Sequence, residues 1–259
     1  MTRRVPEWVL SAAAVAGFLA AWEVVARAAW VPPALFPPPS RVASALAEMA
    51  ESGELAADVR VSLWRAAAGF GLGGAAGVAA GLLTGRLRTA DVCLSPLINL
   101  FRPLPPVAMI PLMIIWFGIG DPAKVFAIAF AVFFPVWANT HQGARAIPNL
   151  LLWGAQTFHV SRWAVWVKVI LPGALPYALV GLRIGAAGAY VMVFVSELAG
   201  ASAGIGYRIS VYQLAYRMDA MIAALVVLGA LGAATDWALS AGAAAVFPWL
   251  PGQRREGTA

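Results

Sequence analysis

Residues 147–182 read IPNLLLWGAQTFHVSRWAVWVKVILPGALPYALVGL, and the fold is decided by the change of character inside this stretch. Its first part mixes apolar anchors (Leu150, Leu151, Leu152, Trp153, Phe158, Trp163, Trp166) with Asn149, Gln156, His159, Arg162 and Lys168, just after Arg145. From Leu171-Pro172 onward it becomes a long apolar segment studded with glycine. The pattern predicts a water-facing handle that turns at Leu171-Pro172 into a membrane-buried rod.

Composition outside this stretch agrees on the solvent. Hydrophobic residues make up 61% of the chain and charged residues 12%, with a mean hydropathy of +0.79, far more apolar than an average soluble domain. The expectation is an all-α polytopic membrane protein: 259 residues hold about six spans of roughly 20 residues with connections and no sizeable extramembrane domain. A dispersed net charge of +6 speaks for membrane topology rather than a nucleic-acid footprint. Cys93, the single cysteine, excludes an intrachain disulfide and a multi-cysteine metal site.

The remaining spans fall on either side of the handle. Thr2-Arg3-Arg4 and the apolar run from Trp8 imitate a signal peptide, but the run is too long and carries Glu23 and Arg27, so it reads as an uncleaved helix to Trp30. Glu23 and Arg27, four apart, are placed to pair. Prolines 32, 33, 37, 38 and 39 then stop any helix, and Ser40 is the expected N-cap of a short amphipathic helix through Glu48. A second span covers 61–84, where Gly69, Gly73, Gly77 and Gly81 leave one face nearly free of side chains, as close helix packing requires, within the bundle or between two copies.

After the basic turn Gly85 to Arg88, a third span (91–117) is interrupted by Arg102-Pro103-Leu104-Pro105-Pro106. Either this is a kinked element lining a pathway, with Arg102 and Pro105 on it, or it is a charged turn at an interface followed by a span from Val107. The fourth span covers 123–138 and ends near His141. The fifth covers 171–199, and the small-residue loop Gly200 to Tyr207 leads through a short amphipathic piece to the sixth, 220–247. The domain reading is an N-terminal spanning helix (1–34), an extracytoplasmic loop (35–60), a membrane core (61–247) with a cytoplasmic loop at 142–168, and a cytoplasmic tail (248–259).

Lysine and arginine fix the orientation. Arg3, Arg4, Arg86, Arg88, Arg145, Arg162, Lys168, Arg254 and Arg255 fall on one side, and Arg41, Arg60, Lys124, Arg208 and Arg217 on the other. Nine against five puts both termini, and residues 142–168, in the cytoplasm. This is the only internal loop large enough for a cytoplasmic partner to grip, although amphipathic helices at a membrane interface would account equally well for its three tryptophans.

Ionisable groups inside spans are the first candidates for function. Arg183 lies twelve residues beyond Leu171, about 18 Å deep at 1.5 Å per residue, and Asp236 lies at nearly equal depth. The two are expected to form a structural ion pair, with contact between Arg183 and an anion as the other reading. Glu197, near the outer end, is a structural hydrogen-bonder or a pathway group. There is no glycine-rich phosphate loop ending in Gly-Lys-Ser/Thr, no HExxH, no GxSxG and no paired carboxylate cluster, which speaks against an enzyme and gives no metal or cofactor site.

The handle resembles the cytoplasmic EAA loop of permease subunits of bacterial ATP-binding-cassette importers, whose pattern is Glu-Ala-Ala, three residues, Gly, nine residues, then Ile-x-Leu-Pro. Val169-Ile170-Leu171-Pro172 matches its end. Phe36-Pro37-Pro38-Pro39-Ser40, Arg102-Pro103-Leu104-Pro105-Pro106, Trp116-Phe117-Gly118-Ile119-Gly120, Phe133-Phe134-Pro135 and Ser196-Glu197-Leu198 resemble the sulfonate, taurine, nitrate and bicarbonate branch, so the likeness runs over roughly residues 35–240. The departures lie in the handle: Trp153-Gly154-Ala155 stands for Glu-Ala-Ala, and His159 for the glycine.

The resemblance implies a type I importer permease in the bacterial plasma membrane, moving a small anionic solute. It implies pairing with a second permease, expected to be another copy of this chain, with two cytoplasmic ATPase subunits and with an extracytoplasmic binding protein. It also implies that Trp153, Gly154, Ala155, His159, Ser161, Arg162, Leu171 and Pro172 couple the permease to the ATPase. The degraded motif keeps open a second role, a permease-like accessory or regulatory subunit.

Overall fold

A computed structural model describes residues 6–28, 32 and 34–246. Arg3, Arg4, the expected helix end at Trp30 and everything from 247 onward, including Arg254 and Arg255, lie outside the described residues. Among those described, regular structure is entirely helical.

Five helices are long and apolar enough to cross a membrane, and a bent pair makes a sixth span. They are α1 (Glu7–Arg27), α3 (Glu54–Arg86), α6 (Asp121–Ala146), α9 (Leu171–Leu198), α11 (Met218–Val246), and the pair α4 (Arg88–Phe101) with α5 (Ile110–Phe117). Shorter helices are α2 (Pro39–Glu51), α7 (Asn149–Thr157), α8 (Arg162–Val165) and α10 (Ile205–Leu214).

Four expectations need correction. Ser40 does not cap α2: Pro38 takes the N-cap position and Pro39 enters the helix, where a missing N–H costs nothing. Glu23 does the capping instead, accepting from the Ser40 hydroxyl (2.8 Å) and its backbone N–H (3.0 Å) while paired with Arg27 at 2.6 Å. Second, α3 starts at Glu54 rather than Val61, because no breaker separates Gly53 from the apolar run and Glu54 complements the helix dipole. Third, α6 runs from Asp121 to Ala146, eight residues past the expected end at Ala138, since nothing before Pro148 stops it.

The fourth concerns the joint of handle and rod. The chain does not turn at Leu171-Pro172: helix continues from Arg162 to Leu198 through a π-helical turn at Trp166–Ile170, in which Leu171 N–H bonds to the Trp166 carbonyl. A proline within an α-helix lacks a donor and clashes with the carbonyl four residues back. Widening the preceding turn by one residue absorbs both effects without breaking the helix.

The proline-rich interruption bends α4 against the segment 106–117 by 89°. With 14 residues in α4, and α5 ending at Gly118 (φ +79°), neither piece reaches the roughly 20 residues that a span needs. A separate span beginning at Val107 is therefore absent among the described residues.

The chain divides into two compact units, residues 1–61 with 202–229, and residues 62–201 with 230–259. In the first, Val42, Ala45 and Met49 of α2 and Ile205 and Ile209 of α10 are buried. Asp58 accepts from Gly204 N–H (2.8 Å) and from Arg208 Nε (2.7 Å), and Glu54 takes the other arm of Arg208 at 2.8 Å. Burial works against the Arg208 charge, but the Asp58 hydrogen bond and the attraction of Asp58 and Glu54 hold its pKa above the ordinary value.

In the second unit, α6 packs extensively on α9. α3 lays its glycine face on α6: a Cβ built on Gly69 would meet Ile128 at 2.6 Å, on Gly77 Val136 at 2.8 Å, on Gly81 Thr140 at 2.6 Å and on Gly85 Ala144 at 2.6 Å. On Gly73 it would collide with the backbone of Ala129. The glycine face is thus used inside the chain, which decides between the two readings of that pattern.

Candidate functional site

The handle is a hairpin of α7 and α8. α7 ends in a Schellman closure: His159 N–H bonds to the Gln156 carbonyl (3.0 Å) and Val160 N–H to the Ala155 carbonyl (2.9 Å). Such a closure needs one left-handed residue, and His159 supplies it at φ +54°, at the position where the resemblance expects glycine. Ser161 then caps α8 by accepting from Ala164 N–H at 3.3 Å.

Trp153, Phe158 and Trp163 are exposed on this hairpin, as are Leu150, Leu151, Ser161, Arg162 and Leu171. Gly154, Ala155 and Pro172 are half-buried, and a side chain on Gly154 would meet nothing within 4 Å. Hydrophobic side chains of this size, displayed at the tips of a stiff hairpin, form a surface shaped for contact.

Three charged groupings lie within the spans. Arg102 and Pro105 are exposed at the sharp bend, and among the described residues no ion pair or hydrogen bond engages the Arg102 side chain. Phe101, Met113, Phe126, Phe130, Phe133 and Phe134 line an apolar cavity of about 420 Å³ beside it. Glu197 is sealed in the protein: its carboxylate accepts from Arg65 (2.8 Å) and from Ser62 (2.8 and 2.9 Å), and Arg65 also pairs with Asp121 at 2.7 Å. Lys124 is buried one turn further on and donates to the Gly120 carbonyl at 3.2 Å.

The third grouping is bidentate. Arg183 Nε lies 2.9 Å from Asp236 Oδ1, and its second nitrogen lies 3.0 Å from Oδ2. The structure therefore brings Arg183 and Asp236 together, takes Glu197 out of any exposed surface, and leaves Arg102 apart from both. Sequence reasoning missed Ser62, Arg65 and Asp121 as members of the Glu197 network. A signal existed for Arg65, the one charged residue in the otherwise apolar run 61–84.

Comparison with known proteins follows the same lines. Residues 73–245 match the family model "Binding-protein-dependent transport system inner membrane component". The chain is 34% identical over 233 residues to the aliphatic sulfonates transport permease protein SsuC of Escherichia coli, covering 90% of this chain and 87% of that one. It is 32% identical over 245 residues to the taurine transport system permease protein TauC of the same organism, covering 93% and 89%. A solved structure of the MetNI methionine ABC transporter in an inward-facing conformation shares the fold, with a TM-score of 0.57 at 23% identity over 73% of this chain and 96% of that one. So does an amino acid ABC transporter, with a TM-score of 0.57 at 16% identity. A membrane-spanning helical chain with these relatives thus belongs to the binding-protein-dependent transport system inner membrane component family, as the multi-pass permease subunit of an ABC importer and not as an enzyme.

Proposed function

We propose that this permease imports a small organic oxyanion of the sulfonate class, as a pair of identical copies with both termini and the α7–α8 hairpin in the cytoplasm. The observation that carries the reading is the hairpin: its exposed Trp153, Phe158 and Trp163 stand on a Schellman turn at the spacing of the family's ATPase-coupling loop. The similarity to permeases named for aliphatic sulfonates and for taurine supports the substrate class.

The chain has no means of using ATP, so the driving force comes through that hairpin. Closure of two ATPase subunits would pull on residues 149–165. The π-turn at 166–170 keeps helix continuous into α9, so the pull reaches the membrane as a displacement of one stiff rod rather than the flexing of a loop. Arg102 at the bend and the neighbouring aromatic cavity lie on the element we assign to the pathway.

The test is reconstitution of this chain with the ATPase encoded beside it and the cognate binding protein. Uptake of radiolabelled butanesulfonate or taurine into proteoliposomes, coupled to ATP hydrolysis and abolished by Trp153→Ala with Trp163→Ala, is the expected result. The loss of Glu-Ala-Ala favours a second reading, an accessory subunit that has kept the fold. Well-folded protein that neither binds the ATPase nor stimulates hydrolysis would establish that reading instead.

A further inference from the structure

Of the ion pairs in the larger unit, two between spanning helices are treated in opposite ways. Arg65 and Glu197 are closed off, with 6% and 0% of their side chains accessible, as a pair with a purely structural task should be. Arg183 and Asp236 leave 52% and 49% accessible. Nor does either sit at a helix end. Arg183 is twelve residues from Leu171 and fifteen from Leu198, about 18 and 22 Å from the two ends of α9. Asp236 is eighteen residues into α11.

Charge at that depth is not tolerated against lipid chains, so the face carrying this pair is wetted or covered by protein in the working transporter. Arg183 presents its guanidinium fork to two carboxylate oxygens, the arrangement it would present equally to two oxygens of a sulfonate or of another carboxylate.

An apolar cavity of about 490 Å³ adjoins the pair on both helices: Ala186 lies three residues beyond Arg183, and Thr235 and Leu239 flank Asp236. Tyr190 crosses to Thr235 at 2.6 Å, and Thr235 donates onward to the Leu231 carbonyl at 2.9 Å. Those hydroxyls are therefore satisfied internally, and the wall they leave is hydrocarbon. A guanidinium beside an apolar chamber fits an anion with a short apolar tail better than a compact inorganic one.

We propose that Arg183 is an anion-binding residue of the translocation pathway whose resting counter-ion is Asp236, and that an organic oxyanion passes by displacing that carboxylate while its tail occupies the adjoining cavity. This rests on the import reading above and names the residues that would meet the solute. Asp236 keeps the guanidinium neutralised between solutes, and by competing for it prevents the anion from being held too tightly to leave.

The experiment is equilibrium binding of radiolabelled butanesulfonate to the assembled permease–ATPase complex in nanodiscs, with proteoliposome uptake in parallel. The variants are Arg183→Gln, Asp236→Asn, and the exchange Arg183→Asp with Asp236→Arg. Asp236→Asn is expected to tighten binding on the order of ten-fold by removing the competing state, with slower uptake. Arg183→Gln is expected to lose binding. The exchange is expected to assemble as well as the wild type and still fail to bind, because the cation then sits on the wrong helix.

Recovery of binding and uptake by the exchange would overturn the proposal and mark the pair as structural. Wild-type uptake that Arg183→Gln leaves unchanged would overturn it while the import reading stands. A wild-type complex that hydrolyses ATP but neither binds nor imports an organic oxyanion would overturn the import reading, and this proposal with it.

Discussion

At the scale of single residues, two side chains occupy conformations that glycine usually fills. His159 (φ +54°) and Tyr216 (φ +55°) close α7 and α10 with the same pair of backbone hydrogen bonds. A left-handed conformation costs an L-residue about 1–2 kcal/mol, less for histidine than for a β-branched residue. His159→Gly should therefore stabilise the hairpin by about 0.5–1 kcal/mol and His159→Val should weaken it, an order that thermal unfolding of the detergent-solubilised protein would establish. The position was legible through the resemblance, since counting back from Val169 along the family's pattern lands on it. The Glu197 network was not, because its partners stand 132 and 135 residues away along the chain and no local pattern connects them. Glu197→Gln leaves the Arg65 guanidinium buried without its full counter-charge. A loss of about 3 kcal/mol is expected, read as a lowered unfolding temperature and a reduced yield of folded protein.

At the scale of elements, packing of α3 on α6 separates glycines that look alike in the sequence. A methyl on Gly77 would press on Val136 at 2.8 Å, whereas one on Gly71 meets nothing within 4 Å. Gly77→Ala should destabilise by about 1–3 kcal/mol through overpacking. Gly71→Ala should be neutral or stabilising by up to about 1 kcal/mol, since alanine is the better helix former. Parallel denaturation of the two variants tests this, and equal effects would mean that the face is not the contact described. The four-residue glycine period told that a close contact existed but could not say with what. The break in the third span was legible because proline removes donors at fixed places. The start of α3 was not: Glu54, Asp58 and Arg60 read as loop because Arg208, the partner of both acids, lies 150 and 154 residues further on.

At the scale of the whole molecule, hydropathy alone places the spans approximately, but it misjudges the start of α3, where charged residues are held by a distant partner, and the joint at Leu171-Pro172, where a proline is accommodated by a widened turn. The dependence on distant partners also sets an order of events during synthesis. Arg65 emerges 56 residues before Asp121 and 132 before Glu197. At about 5–20 residues per second these intervals are roughly 3–11 s and 7–26 s. During that time α3 is a hydrophobic segment with an arginine in it whose carboxylates have not yet been made, and the lateral exit of such a helix from the insertion machinery is unfavourable by a few kcal/mol. Ribosome-stalled chains that stop short of Asp121 should keep α3 crosslinkable to the translocon, and chains extending past Glu197 should release it. Release at equal lengths in an Arg65→Leu chain and the parent would count against this. The buried network that holds three helices together in the finished protein is, on the ribosome, a timer for when the first of them can leave.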